Sequence, residues 1–353
     1  MKMVKSKNML LYIVKRVLFM FVMIFFVLVV TFFLTHLMQI NPVLNKMSSD
    51  PRVPYEVYLQ ERERIGADKP IFEQFIIYLQ NFFQGNWGTS YIVADGVPVT
   101  TLIAQLLPKT IELVIIPIIV VPFLSVKLGV MSAKHRNRWQ DGIIRGVIML
   151  GVCIPVFFLA TLIQYFMSHI LNVFTYGVIN IETSSANSIT IRYINRLTGF
   201  RLIDAFLFND QVLLQDTLIH LILPSISLII VSLAGITRQT RASMLDVMRK
   251  DYIRTARAKG VEEKEVINKH ALRNALIPTS NEIVGLVASL LVGSLFIEII
   301  FNYKGIGWYL FYAIQSGDYV VIVGIVIVDS IIILSGTLTA DVLYTIIDPR
   351  IVY

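Results

Sequence analysis

Apolar residues in this chain fall in long blocks and do not alternate singly with polar ones. Blocks at 17–37, 113–131, 143–170, 218–236, 278–300 and 319–347 have the length that a helix needs to cross the hydrocarbon core, roughly 18–20 apolar residues. Within lipid each backbone N–H and C=O must be paired inside the segment, which selects helix for such blocks. The pattern predicts an all-α polytopic membrane protein with six transmembrane helices. Pro117 and Pro122 fall inside the second block and Pro155 near the middle of the third; Pro224 stands in the opening of the fourth, and Pro278 opens the fifth. Membrane helices tolerate proline where neighbours pair the freed carbonyls.

The stretches between blocks differ in character. Segment 38–112 is mixed in charge and starts on the turn-rich Asp50–Pro54. Inside it, Ile71, Phe75, Tyr78, Leu79 and Phe82 fit an amphipathic helix lying at the membrane interface. Segment 171–217 is rich in Ser, Asn and Thr around 182–190 and carries no recognisable motif. Residues 302–318 are expected to form a short external hairpin. The longest charged run is 237–277. There Leu245, Met248, Tyr252 and Ala256 recur at three- and four-residue steps, predicting one helical face, with Arg249, Lys250, Arg254 and Arg257 on the other. Gly260 marks the stop, because glycine accepts the left-handed conformation of a C-terminal cap. Val266, Ile267, His270, Ala271 and Asn274 form a second stripe. The pattern thus predicts two short helices meeting at a glycine turn, and a span opening at Pro278.

Composition agrees with the pattern. The 353 residues are 56% hydrophobic with a formal net charge of +7, and the mean hydropathy is +0.70. In a membrane protein that charge bears on orientation and not on nucleic acid. Basic residues gather before the first block (Lys2, Lys5, Lys7, Lys15, Arg16), at Lys134, Arg136 and Arg138, and from Arg238 to Arg273. With six spans these stretches fall on one side, which the positive-inside rule makes cytoplasmic, along with both termini. The first block is too long for a signal-peptide core, and no alanine precedes Ala67, so residues 1–16 are expected to remain as a cytoplasmic N-terminus. The lone Cys153 excludes an internal disulfide. No Gly-x-x-x-x-Gly-Lys-Ser/Thr phosphate loop occurs, nor any paired-Cys or His-Glu-x-x-His pattern. His36, His135, His169, His220 and His270 are scattered. The sequence therefore assigns no catalytic residue, no cofactor and no metal.

Ionisable residues inside spans are costly, and each is a functional candidate by default. Lys127, Glu298 and Asp341 stand near block ends, where snorkelling or capping accounts for them. Glu282 and Asp329 stand deeper and are the candidates for a translocation path; an interhelical hydrogen bond is the competing reading for both.

The run Asp251-Tyr-Ile-Arg-Thr-Ala-Arg-Ala-Lys-Gly260, continued by His270-Ala-Leu-Arg-Asn-Ala275, resembles the signature (EAA) loop of the membrane subunits of ATP-binding-cassette importers. Ala256 and Gly260 match that motif's second residue and its glycine. Thr255 replaces its glutamate, and the spacing from Gly260 to Pro278 exceeds the general one. Both departures are those of the family's peptide and nickel branch. The resemblance extends to Gly66–Pro70, Gly85–Tyr91, Leu107–Leu113, Ile297–Gly307, Gly317–Tyr319 and Asp341–Ile351, leaving out about 171–217. Lys304 and Val320 stand where the family usually has proline.

The resemblance implies a type I importer permease fold, with a transmembrane permease domain over about 100–350. It implies that Arg254, Thr255, Ala256, Arg257, Ala258, Lys259 and Gly260 form a coupling helix docking on an ATPase. The partners implied are a second, different permease subunit, two ATPase subunits and an external substrate-binding protein, with oligopeptides or dipeptides as substrate, in a cell membrane. ATP hydrolysis would belong to the partner subunits. Nickel or another small solute is the alternative substrate. An ion-coupled secondary transporter is a reading from another class, and a membrane scaffold or receptor subunit a further one. Both leave the charged loop without a task.

Overall fold

The computed structural model describes residues 2–37, 55–65, 69–90, 92–94, 96–167 and 198–347. The turn at 50–54, Tyr91, most of segment 171–217, residues 168–170 of the third block and the ending 348–353 lie outside the described residues. The described chain is almost entirely helical, and its single isolated β-bridge joins Thr89 and Pro98.

Helix α1 spans Lys2–Leu37, α2 Tyr55–Ile65, α3 Ile71–Phe83, α4 Val99–Lys134, α5 Trp139–Cys153 and α6 Val156–Tyr165. Helix α7 spans Arg201–Leu207, α8 Gln211–Val247 and α9 Asp251–Ala258. A short helical lead-in, Glu263–Glu265, and a π-helical turn, Val266–Ala271, run into α10, Leu272–Ile300. Helices α11, Ile306–Ser316, and α12, Tyr319–Ile347, follow. Helices α1, α4, α8, α10 with its lead-in, and α12 are each long and apolar enough to cross a membrane.

The third block departs from expectation. It is not one straight span: α5 and α6 meet at a bend of 107°. The cause is local. Proline crowds the residue before it out of the helical region, and Ile154 is accordingly extended with ψ 122. Counted as one broken crossing, the pair is the sixth.

Two further expectations are corrected. Pro278 does not open the fifth span but lies inside α10. It lacks an N–H to offer the carbonyl four residues back, at Asn274, and both residues are exposed, so that carbonyl is open to other partners. The second short helix therefore runs straight on into the span. The face Leu245–Met248–Tyr252–Ala256 is also broken, because α8 ends at Val247 and α9 begins at Asp251. Arg249 and Lys250 donate their N–H groups to Asp246 and Val247 in an intervening turn.

Helix α8 is the axis of the bundle. Its Leu221, Leu223, Leu228 and Ile236 pack with Leu113, Val114 and Val121 of α4, Ala160 of α6, and Leu286, Leu290 and Ile297 of α10. Helices in lipid gain little from excluding water and depend on close packing at small residues. Gly129 of α4 supplies one such crossing: a methyl group there would sit 2.5 Å from the Thr240 Cβ and 3.0 Å from the Thr237 carbonyl oxygen. Gly151 of α5 meets Ala234 in the same way. The outer faces carry large exposed apolar side chains, among them Phe19, Phe21 and Phe26 on α1 and Val147 and Met149 on α5. Helix α3 rests against α1 through Phe75 and Tyr78, which pack edge-on and tilted against Phe32.

Candidate functional site

Helix α9 projects at one end of the bundle, held by one face. Asp251 in its first turn places negative charge where the helix dipole favours it. Ile253 is fully buried among Ala133, Met244, Val266, Ile267, Ala271 and Ala275. Ala256 is half-buried on the same cluster. The anchor is thus Ile253. Tyr252, expected on the apolar face, is 44% exposed, and its hydroxyl accepts from the Asn274 side chain at 2.9 Å. The break before Asp251 rotates the register of α9 relative to α8.

The opposite face is bare. Arg254, Thr255, Arg257, Ala258, Lys259 and Gly260 are exposed. Gly260 has φ +76, and no atom lies within 4 Å of where its Cβ would be. Backbone conformation, not crowding, is what requires glycine there. Arg257 donates from Nε and Nη2 to the Glu263 carboxylate at 3.0 and 2.8 Å. That contact holds the Arg257 pKa above its ordinary value and ties α9 to the lead-in of α10.

A second feature lies between helices. A groove of about 490 Å³ runs among α8, α10 and α12. Ser232, Asn281, Glu282, Ser289 and Thr337 line it with polar atoms, and Gly235, Gly285 and Gly336 keep it open. Glu282, proposed from sequence for a path, is exposed to this groove. Asp329 is not brought to it. It is half-buried on α12, eight residues before Thr337 and so about 12 Å away along the helix. It lies within electrostatic reach of Glu298.

Glu298 overturns its expected role. Its position near a block end suggested snorkelling or capping, yet the side chain is wholly buried. It accepts from the Thr110 hydroxyl at 2.7 Å and from the Trp308 N–H at 3.0 Å. The loop at 305–307 closes directly over its carboxylate. Lys127, by contrast, is exposed on α4. The side chain of Asp341 lies outside the described residues.

Sequence reasoning also passed over four buried carboxylates that fasten loops to helices, among them Asp204, which accepts from the Thr198 hydroxyl at 2.7 Å and from the Thr198 and Gly199 N–H groups at 3.1 and 3.2 Å. Glu112 accepts from the Leu202 N–H at 2.6 Å, the Arg201 N–H at 3.3 Å and the Tyr303 hydroxyl at 3.1 Å. Asp318 accepts from the Ser90 hydroxyl at 2.7 Å and from the Ile92 and Val93 N–H groups at 3.1 and 3.2 Å. Asp141 joins α4, α5 and α8. Asp141 and Asp318 each adjoin a glycine in the sequence, a signal of use only once the partner loop is known, and Glu112 adjoins none.

The described chain is a multi-span helical bundle with one short basic helix, α9, exposed at one end. The profile of the family described as binding-protein-dependent transport system inner membrane component matches residues 125–353, and the profile for the N-terminal part of such components matches 9–114. The chain belongs to this family, whose members are transport components and not enzymes. Its fold is that of the type I importer permeases. The chain is 34% identical over 340 residues to the dipeptide transport system permease protein of Lactococcus lactis subsp. cremoris, covering 96% of this chain and 98% of that one. It is 33% identical to the oligopeptide transport system permease protein of Bacillus subtilis, covering 97% and 99%. It is 35% identical to the dipeptide transport system permease protein of Alkalihalophilus pseudofirmus, covering 98% and 100%.

Proposed function

We propose that this chain is a permease subunit of an ATP-binding-cassette importer for dipeptides or oligopeptides. It would pair with a second, different permease chain, carry two ATPase subunits on its α9 side, and receive peptide from an external binding protein on the other. The observation that carries the coupling role is the exposure of α9: its basic face is open to solvent while Ile253 roots it in the bundle. The substrate class rests on the peptide permeases that match this chain nearly end to end.

The end bearing α9 is assigned to the cytoplasm, with both termini. The turn carrying Lys134, Arg136 and Arg138 and the basic end of α8 meet at one corner of the bundle through Asp141 and Arg241, as the positive-inside rule requires. Glu298, Asp318 and α11 then belong to the external end. ATP binding draws the ATPases together, α9 moves with them as a rigid lever, and the spans reorient around the groove. Glu282 lines the path on this chain's side. Asp329 is assigned to the same pathway nearer the external end.

Cells lacking the gene, with and without a plasmid copy, test the reading through uptake of labelled dipeptides, longer peptides and nickel. Restored peptide uptake is expected. Restored nickel uptake with peptides unaffected would move the chain to the small-solute branch.

A further inference from the structure

The corner between α4, α5 and α8 holds a charge pair that neither the path nor α9 explains. Asp141 has no exposed surface. The Arg241 guanidinium donates to it in bidentate fashion, Nε to Oδ1 at 2.9 Å and Nη2 to Oδ2 at 3.0 Å. The Ser132 hydroxyl of α4 donates to Oδ1 at 2.5 Å, and the Asn137 N–H of the α4–α5 turn donates to Oδ2 at 3.0 Å. Arg241 Nε also donates to the Ser132 oxygen at 3.0 Å. Arg145, one turn on along α5, adds a half-exposed contact at 3.5 Å. One carboxylate therefore gathers donors from two helices, the turn between them and a third helix.

Its position along the chain gives the cluster a mechanical consequence. Arg241 lies six residues before the end of α8 at Val247, and α9 starts after a turn of three residues. Just before Arg241, Thr240 is locked against Gly129 of α4. Just beyond it, Met244 joins Ile253 of α9 and Ala133 of α4 in one buried cluster. A displacement of α9 thus reaches α4 by apolar contact alone. It reaches α5, and the broken crossing that α5 begins, by the packing of Ile144 and Ile148 on Ala234 and, at the corner nearest α9, through Asp141. A bidentate Arg–carboxylate pair fixes angle as well as distance, and two planar groups that must stay in register transmit rotation where apolar packing permits slip.

We propose that Asp141 and Arg241 are positioning residues for transport coupling: their ion pair makes the α4–α5 corner turn with α8 when the ATPases move α9. The proposal rests on the importer reading above. It names no contact with substrate or nucleotide. The pair acts only through the helices it joins.

The test uses the complete complex of permease pair, ATPases and binding protein, reconstituted in vesicles. Removing one partner would leave a buried unpaired charge and endanger folding. The primary variant is therefore the double replacement Asp141→Asn with Arg241→Gln, which shortens the Arg241 side chain, retains one donor at the Nε position and buries no charge. Arg241→Lys is the conservative companion, keeping charge without the fork. Three quantities are read: assembled complex, basal ATPase rate, and the stimulation of that rate by peptide-loaded binding protein, with uptake alongside.

The expected result for the double variant is normal assembly and basal rate, with stimulation and uptake each down about tenfold, the scale of a typical coupling factor. Arg241→Lys should retain part of both. Full stimulation and uptake in the double variant would overturn the proposal. So would uptake that falls only as far as the amount of assembled complex falls, with the stimulation ratio intact. A wild-type complex that hydrolyses ATP but never responds to peptide-loaded binding protein would instead overturn the importer reading, and the positioning role with it.

Discussion

Gly305 and Glu298 occupy each other's space: a side-chain carbon at Gly305 would lie 2.7 Å from the Glu298 Oε1 and 2.5 Å from the Thr110 Oγ1 that bonds it. The α10–α11 loop is therefore built around a carboxylate, and the carboxylate is held by the loop. Replacing Glu298 with Ala leaves the Thr110 hydroxyl and the Trp308 N–H without their acceptor, at a cost of about 1–3 kcal/mol for each stranded group. Glu298→Gln keeps an acceptor of the same shape. Thermal unfolding of the detergent-solubilised complex should show a large drop for Glu298→Ala and a small one for Glu298→Gln; equal drops would mean that the hydrogen bonds do not hold the loop.

Gly260 predicts a split by residue type. Its φ of +76 is unreachable for proline, fixed near −65°, and costs alanine roughly 1–2 kcal/mol. Nothing crowds the site, so Gly260→Ala should leave protein level and uptake nearly intact. Gly260→Pro should leave the permease in the membrane but remove peptide-stimulated ATPase activity, because the angle between α9 and α10 changes. Ala256→Arg should uncouple by the same readout, since Ala256 is half-buried where α9 meets the bundle.

Glu282 and Asp329 lie at different depths and should respond differently. Glu282→Gln alters a groove wall and is expected to change uptake in a peptide-dependent manner, most for peptides bearing positive charge. Asp329→Asn should lower uptake of all peptides without lowering assembled complex. Uptake assays with quantified complex decide both; unchanged uptake in Asp329→Asn would remove that residue from the pathway.

The crossing of α4 and α8 sets a fourth expectation. Gly129→Ala puts a methyl group 2.5 Å from the Thr240 Cβ, and overpacking of this kind costs about 1–3 kcal/mol. Gly235→Ala, where no atom lies within 4 Å of the added carbon, is the matched control. Melting temperature should fall for the first and hold for the second.

The bundle was legible from sequence because lipid imposes a length on every crossing. The blocks around 17–37, 113–131, 218–236 and 278–300 contain the cores of helices that run further in both directions or in one, and the block 319–347 coincides with α12. The extensions were illegible for a physical reason. Val99–Glu112 and Arg238–Val247 are too polar to read as membrane, yet they continue the same helices beyond it. Pro278 misled because proline need not end a membrane helix where other groups re-satisfy the freed carbonyl, and Pro155 was noted without its 107° consequence. The exposed stretch Arg254–Gly260 could be found by its charge. Glu298, Glu112, Asp318 and Asp141 could not, because a carboxylate's place in the sequence does not announce which distant hydroxyl or N–H will meet it.

The central claim, that α9 is where an ATPase docks, is tested most directly by photo-crosslinking in native membranes. A benzophenone amino acid replaces Arg254 on the bare face of α9, and in a separate strain Phe206, an exposed residue at the opposite end of the bundle. After irradiation, adducts are identified by mass spectrometry. The account predicts an adduct from position 254 to a subunit bearing a nucleotide-binding phosphate loop, changing in yield with ATP, and none to that subunit from position 206. A transport-competent complex in which position 254 never meets the ATPase would contradict it.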